Sequence, residues 1–245
     1  MKKYASLIIA VWFTSQCANA QGTFQNFNFE SANLSPETPG PAPNYVPISS
    51  ALPAWTVYIG TAQQTQVEYN VTTLGNASVD ILGPNWTGSL AASESGYGII
   101  DGKYTVVLQS GEYTNTDVYS ASLSQNGTIP GNAQSLQFEA DNGAYALSVS
   151  FAGNNLPLNV LSSGLSPSGI PYTVYGVDIA PYSSQTGLLE FTESFSASVE
   201  LDDISFSTTA VAPEPSTLAL ILTGGVAFAA SAYRARDARS RLREH

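Results

Sequence analysis

Residues 198–207 read Ser-Val-Glu-Leu-Asp-Asp-Ile-Ser-Phe-Ser, and they carry the clearest structural signal in this chain of 245 residues. Apolar and polar side chains alternate, which is the pattern of a β-strand with one buried face. The alternation changes phase, because Val199 and Leu201 share one parity while Ile204 and Phe206 share the other. A regular strand cannot bury both pairs on the same face.

The phase changes at Asp202 and Asp203, and this predicts a β-bulge that turns one of the two carboxylates inward. A buried carboxylate needs hydrogen-bond donors or a cation. Lys103 is the only cationic side chain in residues 21–210. The partners are therefore backbone N–H groups, Tyr or Asn side chains, or a bound metal, for which Ca²⁺ suits oxygen ligands.

Short alternating runs recur through residues 21–210, and turn sequences rich in Gly, Asn and Asp separate them. The runs predicted as strands are 55–59, 104–108, 118–123, 136–138, 147–151, 174–179, 188–191 and 198–207. The pattern predicts an all-β fold, a two-sheet antiparallel jelly-roll sandwich. Two stretches depart from it. The proline-rich segment 36–53 is predicted as an irregular surface loop after the first strand, and 163–171 as a second flexible stretch.

Composition excludes several kinds of chemistry. The chain has 8 basic and 19 acidic side chains and a formal net charge of −11. Cys17 and Met1 lie in the first twenty residues and His245 is the last, so residues 21–210 contain no Cys, Met or His, and no Arg either. Disulfides, Cys/His metal sites and nucleophile–His catalysis are excluded there. Nucleic acid is excluded as a partner, because one lysine cannot replace its counterions.

Residues 1–20 have the features of a secretory signal peptide. Lys2 and Lys3 precede a short apolar run, and Ala18-Asn19-Ala20 provides the small residues Ala18 and Ala20 of a cleavage site. The apolar run is too short to span a bilayer. The sequence therefore predicts export of the body that follows.

Residues 211–245 predict a membrane anchor. The stretch 216–233 has no charged side chain and as a helix would be roughly 27 Å long. Five arginines follow it: Arg234, Arg236, Arg239, Arg241 and Arg243. Because positively charged flanks stay in the cytoplasm, both ends of the chain face inward and the body faces outward. The predicted location is across the inner membrane, anchored at least transiently, and then the cell surface or extracellular matrix.

The order of these C-terminal features resembles the PEP-CTERM sorting signal, a segment also labelled an ice-binding-protein C-terminal domain. Its three parts are Pro213-Glu214-Pro215-Ser216, the uncharged helix and the arginine cluster. The resemblance implies recognition by an exosortase, a membrane transpeptidase-like processing enzyme, near Pro213, Glu214, Pro215 and Ser216. It also implies a bacterium with an exopolysaccharide or biofilm programme. It implies nothing about what the body does.

The body resembles the galactose-binding-like jelly rolls, the fold of many carbohydrate-binding modules. The segments that carry the resemblance are 27–30, read as an aromatic-rich opening strand that ends in Glu30, and then 52–55, 145–151 and 201–206. It implies a structural Ca²⁺ between Glu30 and Asp203, with Asp202 as the alternative to Asp203. A carboxylate that caps a turn without any metal is the competing interpretation.

These features favour a non-enzymatic surface or matrix protein that binds glycans, with exopolysaccharide as the expected partner. Sugar sites combine flat aromatic rings with amides and carboxylates, and they do not require cations. Trp86, flanked by Asn85 and Thr87, is predicted as an exposed platform, whereas Trp55 has apolar neighbours and is predicted in the core.

Two other functions stay open. One is a purely structural or adhesive surface protein without a specific ligand. The other is a carbohydrate-active enzyme, which would need two carboxylates at hydrolytic spacing. Glu190 with Glu193, or Glu139 with Asp141, are the pairs that the sequence offers.

Overall fold

The computed structural model describes residues 22–35, 44–71, 75–86, 97–114, 117–141, 144–195 and 197–211. These residues form sixteen strands: β1 Tyr45–Pro47, β2 Thr56–Ile59, β3 Ala62–Gln63, β4 Gln66–Tyr69, β5 Ser78–Leu82, β6 Thr105–Gln109, β7 Gly111–Thr114, β8 Asp117–Tyr119, β9 Ala121–Thr128, β10 Ser135–Ala140, β11 Leu147–Phe151, β12 Asn154–Leu156, β13 Asn159–Leu165, β14 Pro171–Asp178, β15 Thr186–Glu193 and β16 Ser198–Ser207. The helices in these residues are α1 Ile48–Ala51 and two 3₁₀ turns, Ala144–Ala146 and Ala180–Tyr182.

Fourteen strands form two large sheets, and β7 and β8 form a separate hairpin. The eight-stranded sheet has the order β1-β4-β5-β6-β16-β10-β14-β13, and the six-stranded sheet has the order β12-β11-β15-β9-β2-β3. The predicted all-β class is confirmed. The predicted antiparallel pairing holds between these strands except for β4 and β5, which run parallel. The sequences of β4 and β5 alternate as well, so the alternation that usually accompanies antiparallel pairing does not identify this parallel pair.

Aromatic residues from both sheets meet in the core. The rings of Phe138 on β10 and Phe191 on β15 pack edge to face with centroids 5.3 Å apart. Trp55 lies 6.4 Å from Phe191 and is 4% exposed. Such edge-on aromatic pairs are favourable beyond the area they bury. The two sheets therefore form a sandwich, and the prediction of a core position for Trp55 is confirmed.

The bulge predicted in residues 198–207 is confirmed. Gln137 of β10 pairs with Ser205 of β16, but Glu139 pairs with Asp202, so β16 contains one extra residue. The extra residue is accommodated at Asp203, whose φ of 40° lies in the left-handed region. Asp202 is 1% exposed, so it is the buried one of the two carboxylates; it lies on the same face as its partner Glu139 and is bonded to Asp101.

The predicted opening strand at Phe27–Glu30 is wrong, because the backbone there turns. Asn26 Oδ1 accepts the N–H of Ser31 at 2.9 Å, a local bond that competes with a strand ladder. Phe29 has a φ of 57°. Phe27 and Phe29 are nonetheless fully buried. A turn, and not a strand, therefore places in the core both rings of this pair, which lie two residues apart in sequence.

The prediction of an irregular loop over 36–53 is wrong for its second half, while residues 36–43 lie outside the described part. Tyr45–Pro47 form β1 at the edge of the eight-stranded sheet and α1 follows directly. Pro47 is compatible with both, because an edge strand and the start of a helix do not need its missing N–H. Ala51 and Leu52 are fully buried.

The predicted flexible stretch 163–171 is also wrong in part. Its first residues belong to β13, which pairs with β14 and forms the other edge of the eight-stranded sheet. The connecting turn is closed by the N–H of Ser166, which donates to the carbonyl of Ile170 at 2.8 Å. The exposed apolar residues of this edge strand obscured the alternation in the sequence.

Candidate functional site

The outer face of the eight-stranded sheet, opposite the core, carries a tyrosine beside a carboxylate. Glu139 on β10 pairs with Val174 on the neighbouring β14, and Tyr172 lies two residues along β14 on the same face, so the two side chains share the outer face. The ring of Tyr172 lies against the backbone of Gly164 on β13. A Cβ on that glycine would be 2.6 Å from Cζ of the tyrosine. Only glycine leaves room for the ring at this position.

Two further acids surround this pair. Burial raises the pKa of Glu139, and the charges of Asp203 and Asp101 add to the effect, while the hydrogen bond from Tyr172 opposes it. The charge of Glu139, followed by burial, raises the pKa of Tyr172. Burial and the charge of Asp101 also raise the pKa of Asp203. The bulge thus places Asp203 beside three groups that are distant in sequence. We call Asp101, Glu139, Tyr172 and Asp203 the outer-face site.

Buried acids beneath the site hold the segment 97–104 against the sheet. Glu200 accepts the N–H of Gly98, and Asp202 Oδ2 accepts the N–H of Asp101 at 3.2 Å. Burial raises the pKa of Asp202 to about 8, although these hydrogen bonds oppose the shift. Burial likewise raises the pKa of Glu200 well above its ordinary value. Asp101, and with it the outer-face site, is positioned by this buried layer.

Glu30 holds the same segment from its other side. Its Oε1 accepts the N–H of Lys103 at 2.6 Å and the N–H of Tyr104 at 3.0 Å. Within the described ranges, no three Asp, Glu, His or Cys side chains converge on a point where they would hold a metal. A calcium site between Glu30 and Asp203 stays a prediction. Glu30 and Asp202 already bind backbone donors, as a capped turn requires.

Trp86 is half-buried, and its indole N–H donates to the carbonyl of Tyr97 at 3.0 Å. Its backbone N–H donates to the carbonyl of Gly83 at 2.8 Å. The outer-face site does not include Trp86. Residues 87–96, which follow it, lie outside the described part, so its role as a platform stays a prediction.

The carboxylate pairs suggested for hydrolysis have separate surroundings. Glu193 shares the parity of Phe191 and is fully buried, whereas Glu190 lies on the other face of β15 and is half-buried. Glu139 belongs to the outer-face site. Asp141 Oδ1 instead accepts the N–H of Glu200 at 3.3 Å.

Sequence reasoning missed a second pair of acids. Glu68 on β4 and Asp80 on β5 pair in register, so their carboxyl groups share one face of the sheet. Burial, followed by the interaction with Glu68, raises the pKa of Asp80 well above its ordinary value. The Ser78 hydroxyl donates to Asp80 Oδ2 at 2.8 Å. Two acids on parallel strands leave no local motif that would have predicted this contact.

A cavity of about 230 Å³ opens at the same edge of the sandwich. Apolar side chains from both sheets, Val57 and Val79 among them, line it together with Gln64 and Gln66. Tyr45, which is 52% exposed, stands at its rim. This is a second place where a small polar molecule would find both apolar and amide contacts.

The sorting and topology residues lie outside the described part of the chain, as do Ala18, Ala20 and the predicted helix 216–233. Among the residues that are described, no helix has the length and apolarity needed to cross a bilayer. The signal peptide, the anchor and the arginine cluster therefore stay predictions.

No protein-family profile matches the sequence, and a search among characterised proteins finds no match either. Three solved structures are similar to it at low identity. The enzymatically active domain of tailspike protein 4 from bacteriophage CBA120 is 12% identical with a TM-score of 0.37, over 78% of this chain and 22% of that one. TmCBM61, solved with beta-1,4-galactotriose, is 17% identical with a TM-score of 0.34, over 76% of this chain and 97% of that one. The K1 cleaved adhesin domain of Lys-gingipain from Porphyromonas gingivalis W83 is 14% identical with a TM-score of 0.36, over 70% of this chain and 99% of that one. Likeness at this level identifies neither ligand nor activity.

Proposed function

We propose that this chain is an exported, non-enzymatic surface protein whose β-sandwich binds a glycan at the outer-face site. One observation carries the proposal: the ring of Tyr172 packs against Gly164 on the outer face, where the charges of Glu139, Asp101 and Asp203 act on its hydroxyl. An aromatic ring offers a surface to the C–H groups of a sugar, and carboxylates accept bonds from its hydroxyls.

Charge limits the kind of glycan. The segment 21–210 contains sixteen acids against Lys103, which makes it strongly anionic. Long-range repulsion disfavours an anionic polymer. The favoured ligand is therefore a neutral stretch of polysaccharide whose hydroxyl groups donate to Glu139, Asp101 and Asp203.

A glycan array probed with the full chain in detergent tests the proposal. Tyr172→Ala is expected to reduce affinity about ten-fold or more, since one well-placed aromatic contact is worth more than 1 kcal/mol. Tyr172→Phe keeps the ring and removes only the hydroxyl, so its loss of affinity is expected to be smaller. Tyr58→Ala, on the six-stranded sheet, is the matched control and is expected to bind normally.

Other outcomes of the array identify the competing functions. Binding that survives Tyr172→Ala but is lost in Trp86→Ala would show that the glycan binds at the predicted platform. Binding that is lost in Tyr45→Ala instead would show that it binds in the cavity. Absence of binding to any glycan would favour a purely structural or adhesive role. Release of reducing ends from polysaccharide would identify an enzyme.

Export, anchoring and processing by an exosortase are a separate part of the proposal, and the sequence of the two ends supports it. Removal of residues 213–245 is expected to abolish display at the cell surface, because it deletes both the Pro-Glu-Pro motif and the anchor. A chain cut only after Arg243 keeps both and serves as the control. Surface display that is unchanged by the long deletion would contradict this part.

For calcium, we propose the capped-turn interpretation of Glu30 and Asp202. Its support is that both carboxylates already accept N–H groups of residues 101–104, in bonds of 2.6 to 3.2 Å. Ca²⁺ takes six to eight oxygen ligands, and the described residues do not assemble three acidic side chains as such a set. Calcium at Glu30 and Asp203 stays the alternative, and a thermal unfolding experiment described below separates the two.

A further inference from the structure

The edge strand β13 exposes three apolar side chains within six residues. Val160 is 56% exposed, Leu161 is 38% exposed and Leu165 is 69% exposed. Large apolar side chains grouped on a surface usually mark a contact with another molecule or a membrane. We call these three residues the β13 patch.

The β13 patch lies in the longest uncharged run of the body. Residues 142–177, between Asp141 and Asp178, carry no charged side chain. The remainder of residues 21–210 carries sixteen acids and one lysine. The strand β13 itself therefore brings no charged side chain to a lipid surface, which would repel the acids of the body.

The described chain ends on this patch. Val211 is its last residue, and the side chains of Val211 and Leu161 both lie over Gly176. A Cβ on that glycine would be 2.8 Å from Leu161 and 3.1 Å from Val211. Only residues 212–215 separate Val211 from the predicted anchor, and fully extended they reach at most about 17 Å. An anchor that starts at Ser216 therefore keeps the patch near the bilayer.

The shape of β13 disfavours another strand as the occupant. The pairing of β13 with β14 shifts register between Val160 and Ser162, so Leu161 is bulged. Bulges at a sheet edge twist it away and protect it against edge-to-edge pairing. A second copy of this chain added to the sheet is thus less compatible with the edge than a lipid surface, which needs no register.

We propose that the β13 patch rests on the outer surface of the membrane while the chain is anchored. The proposal depends on the anchoring part of the proposed function and not on glycan binding. Its physical basis is that Val160, Leu161 and Leu165 leave water for the interface, where apolar area contributes to binding.

The absence of cysteine from residues 21–210 makes a labelling test direct. In a Cys17→Ser background of the full chain, Leu165→Cys and Val118→Cys each carry one environment-sensitive fluorophore. Val118, at 53% exposed on β8, is the matched control. The proteins are reconstituted into vesicles of phosphatidylethanolamine and phosphatidylglycerol that contain a nitroxide-labelled lipid. Quenching is expected to be about three-fold or more stronger at 165 than at 118. Thermal unfolding of both labelled proteins verifies that they are folded.

Three other results would contradict the proposal, and each identifies a different cause. Equal quenching at the two positions, in protein that floats with the vesicles, would contradict the orientation alone. Failure to float would remove the anchor and the orientation together, while glycan binding by Tyr172 would be unaffected. Protection at 165 that rises with protein concentration and is insensitive to the lipid quencher would identify a second copy as the occupant. In a protein labelled through Val160→Cys, Leu165→Asp is expected to weaken quenching, whereas the control Val118→Asp is expected to leave it unchanged.

Discussion

The hydroxyl of Thr105 on β6 donates a hydrogen bond of 2.6 Å to Oδ2 of Asp202 on the adjacent β16. Oδ1 of the same carboxyl accepts the N–H of Asp203 at 2.8 Å. These donors favour the charged form, yet burial raises the pKa of Asp202 to about 8. Desolvation therefore outweighs the bonds, because no cationic side chain among the described residues contributes to the pKa of this carboxyl.

Stability is expected to fall as pH rises from about 4 to about 8. The pKa of Asp202 is about 8 in the folded chain against an ordinary 3.8, so its contribution is complete below the lower value and is lost as pH approaches the upper one. Each pKa unit corresponds to about 1.4 kcal/mol at most. Denaturant unfolding at several pH values measures the slope. Asp202→Asn is expected to flatten it, and a stability maximum near pH 8 in the unsubstituted protein would contradict the prediction.

Replacement of Glu193 by an apolar residue is expected to stabilise the protein at neutral pH. Burial and the charge of Asp141 raise the pKa of Glu193 to about 8. Neither carboxyl oxygen has a hydrogen-bond partner among the described residues. Glu193→Met is expected to raise the free energy of unfolding by about 1 to 2 kcal/mol, since apolar groups often replace buried ionisable ones favourably. Glu190→Met, on the other face of β15, is the control and is expected to change little. A loss of stability in Glu193→Met would show that this carboxyl has a partner in the folded protein.

The bulge residue Asp203 is expected to tolerate glycine and to reject valine. Its φ of 40° lies in the left-handed region, which is strained for side chains with a Cβ and most strained for β-branched ones. Asp203→Gly is expected to raise the free energy of unfolding by about 0.5 to 1 kcal/mol, with further help from the removed repulsion with Asp101. Asp203→Val is expected to lower it. Equal thermal unfolding temperatures for the two variants would argue against a left-handed bulge.

Glu30 distinguishes a capped turn from a calcium ligand. A glutamine retains an oxygen that accepts the N–H groups of Lys103 and Tyr104, whereas alanine does not. Glu30→Gln is therefore expected to be nearly neutral, and Glu30→Ala to cost about 1 to 2 kcal/mol, as loss of a cap does. Thermal unfolding is measured with calcium and with EDTA. An unfolding temperature that rises with calcium, and equal damage from both variants, would establish the metal.

The bulge was predictable because its signal is local. A change of parity within ten residues requires an extra residue wherever that strand lies in the fold. The core position of Trp55 was predictable for a similar reason, since Val57 and Ile59 mark the buried face of the same strand. The turn at Phe27–Glu30 was mispredicted because two buried rings at a spacing of two imitate a strand.

The outer-face site was not predictable from such signals. Glu139, Tyr172 and Asp203 lie on three strands that are neighbours only through the sheet order, and Gly164 contributes by having no side chain. Glu139 was considered only as one member of a hydrolytic pair with Asp141. The pairing of β10 with both β14 and β16 assigns it different partners.

Composition and periodicity were sufficient to establish an anionic all-β body without Cys, His or Arg, together with the bulge and the predicted address signals at both ends. These properties depend on side-chain type and on spacing along one strand. Which carboxylates are buried, which backbone groups they accept, and which tyrosine meets which acid depended on the folded chain. The physical reason is that desolvation and hydrogen bonding act between atoms in space, and β-sheet pairing brings together residues that are a hundred positions apart.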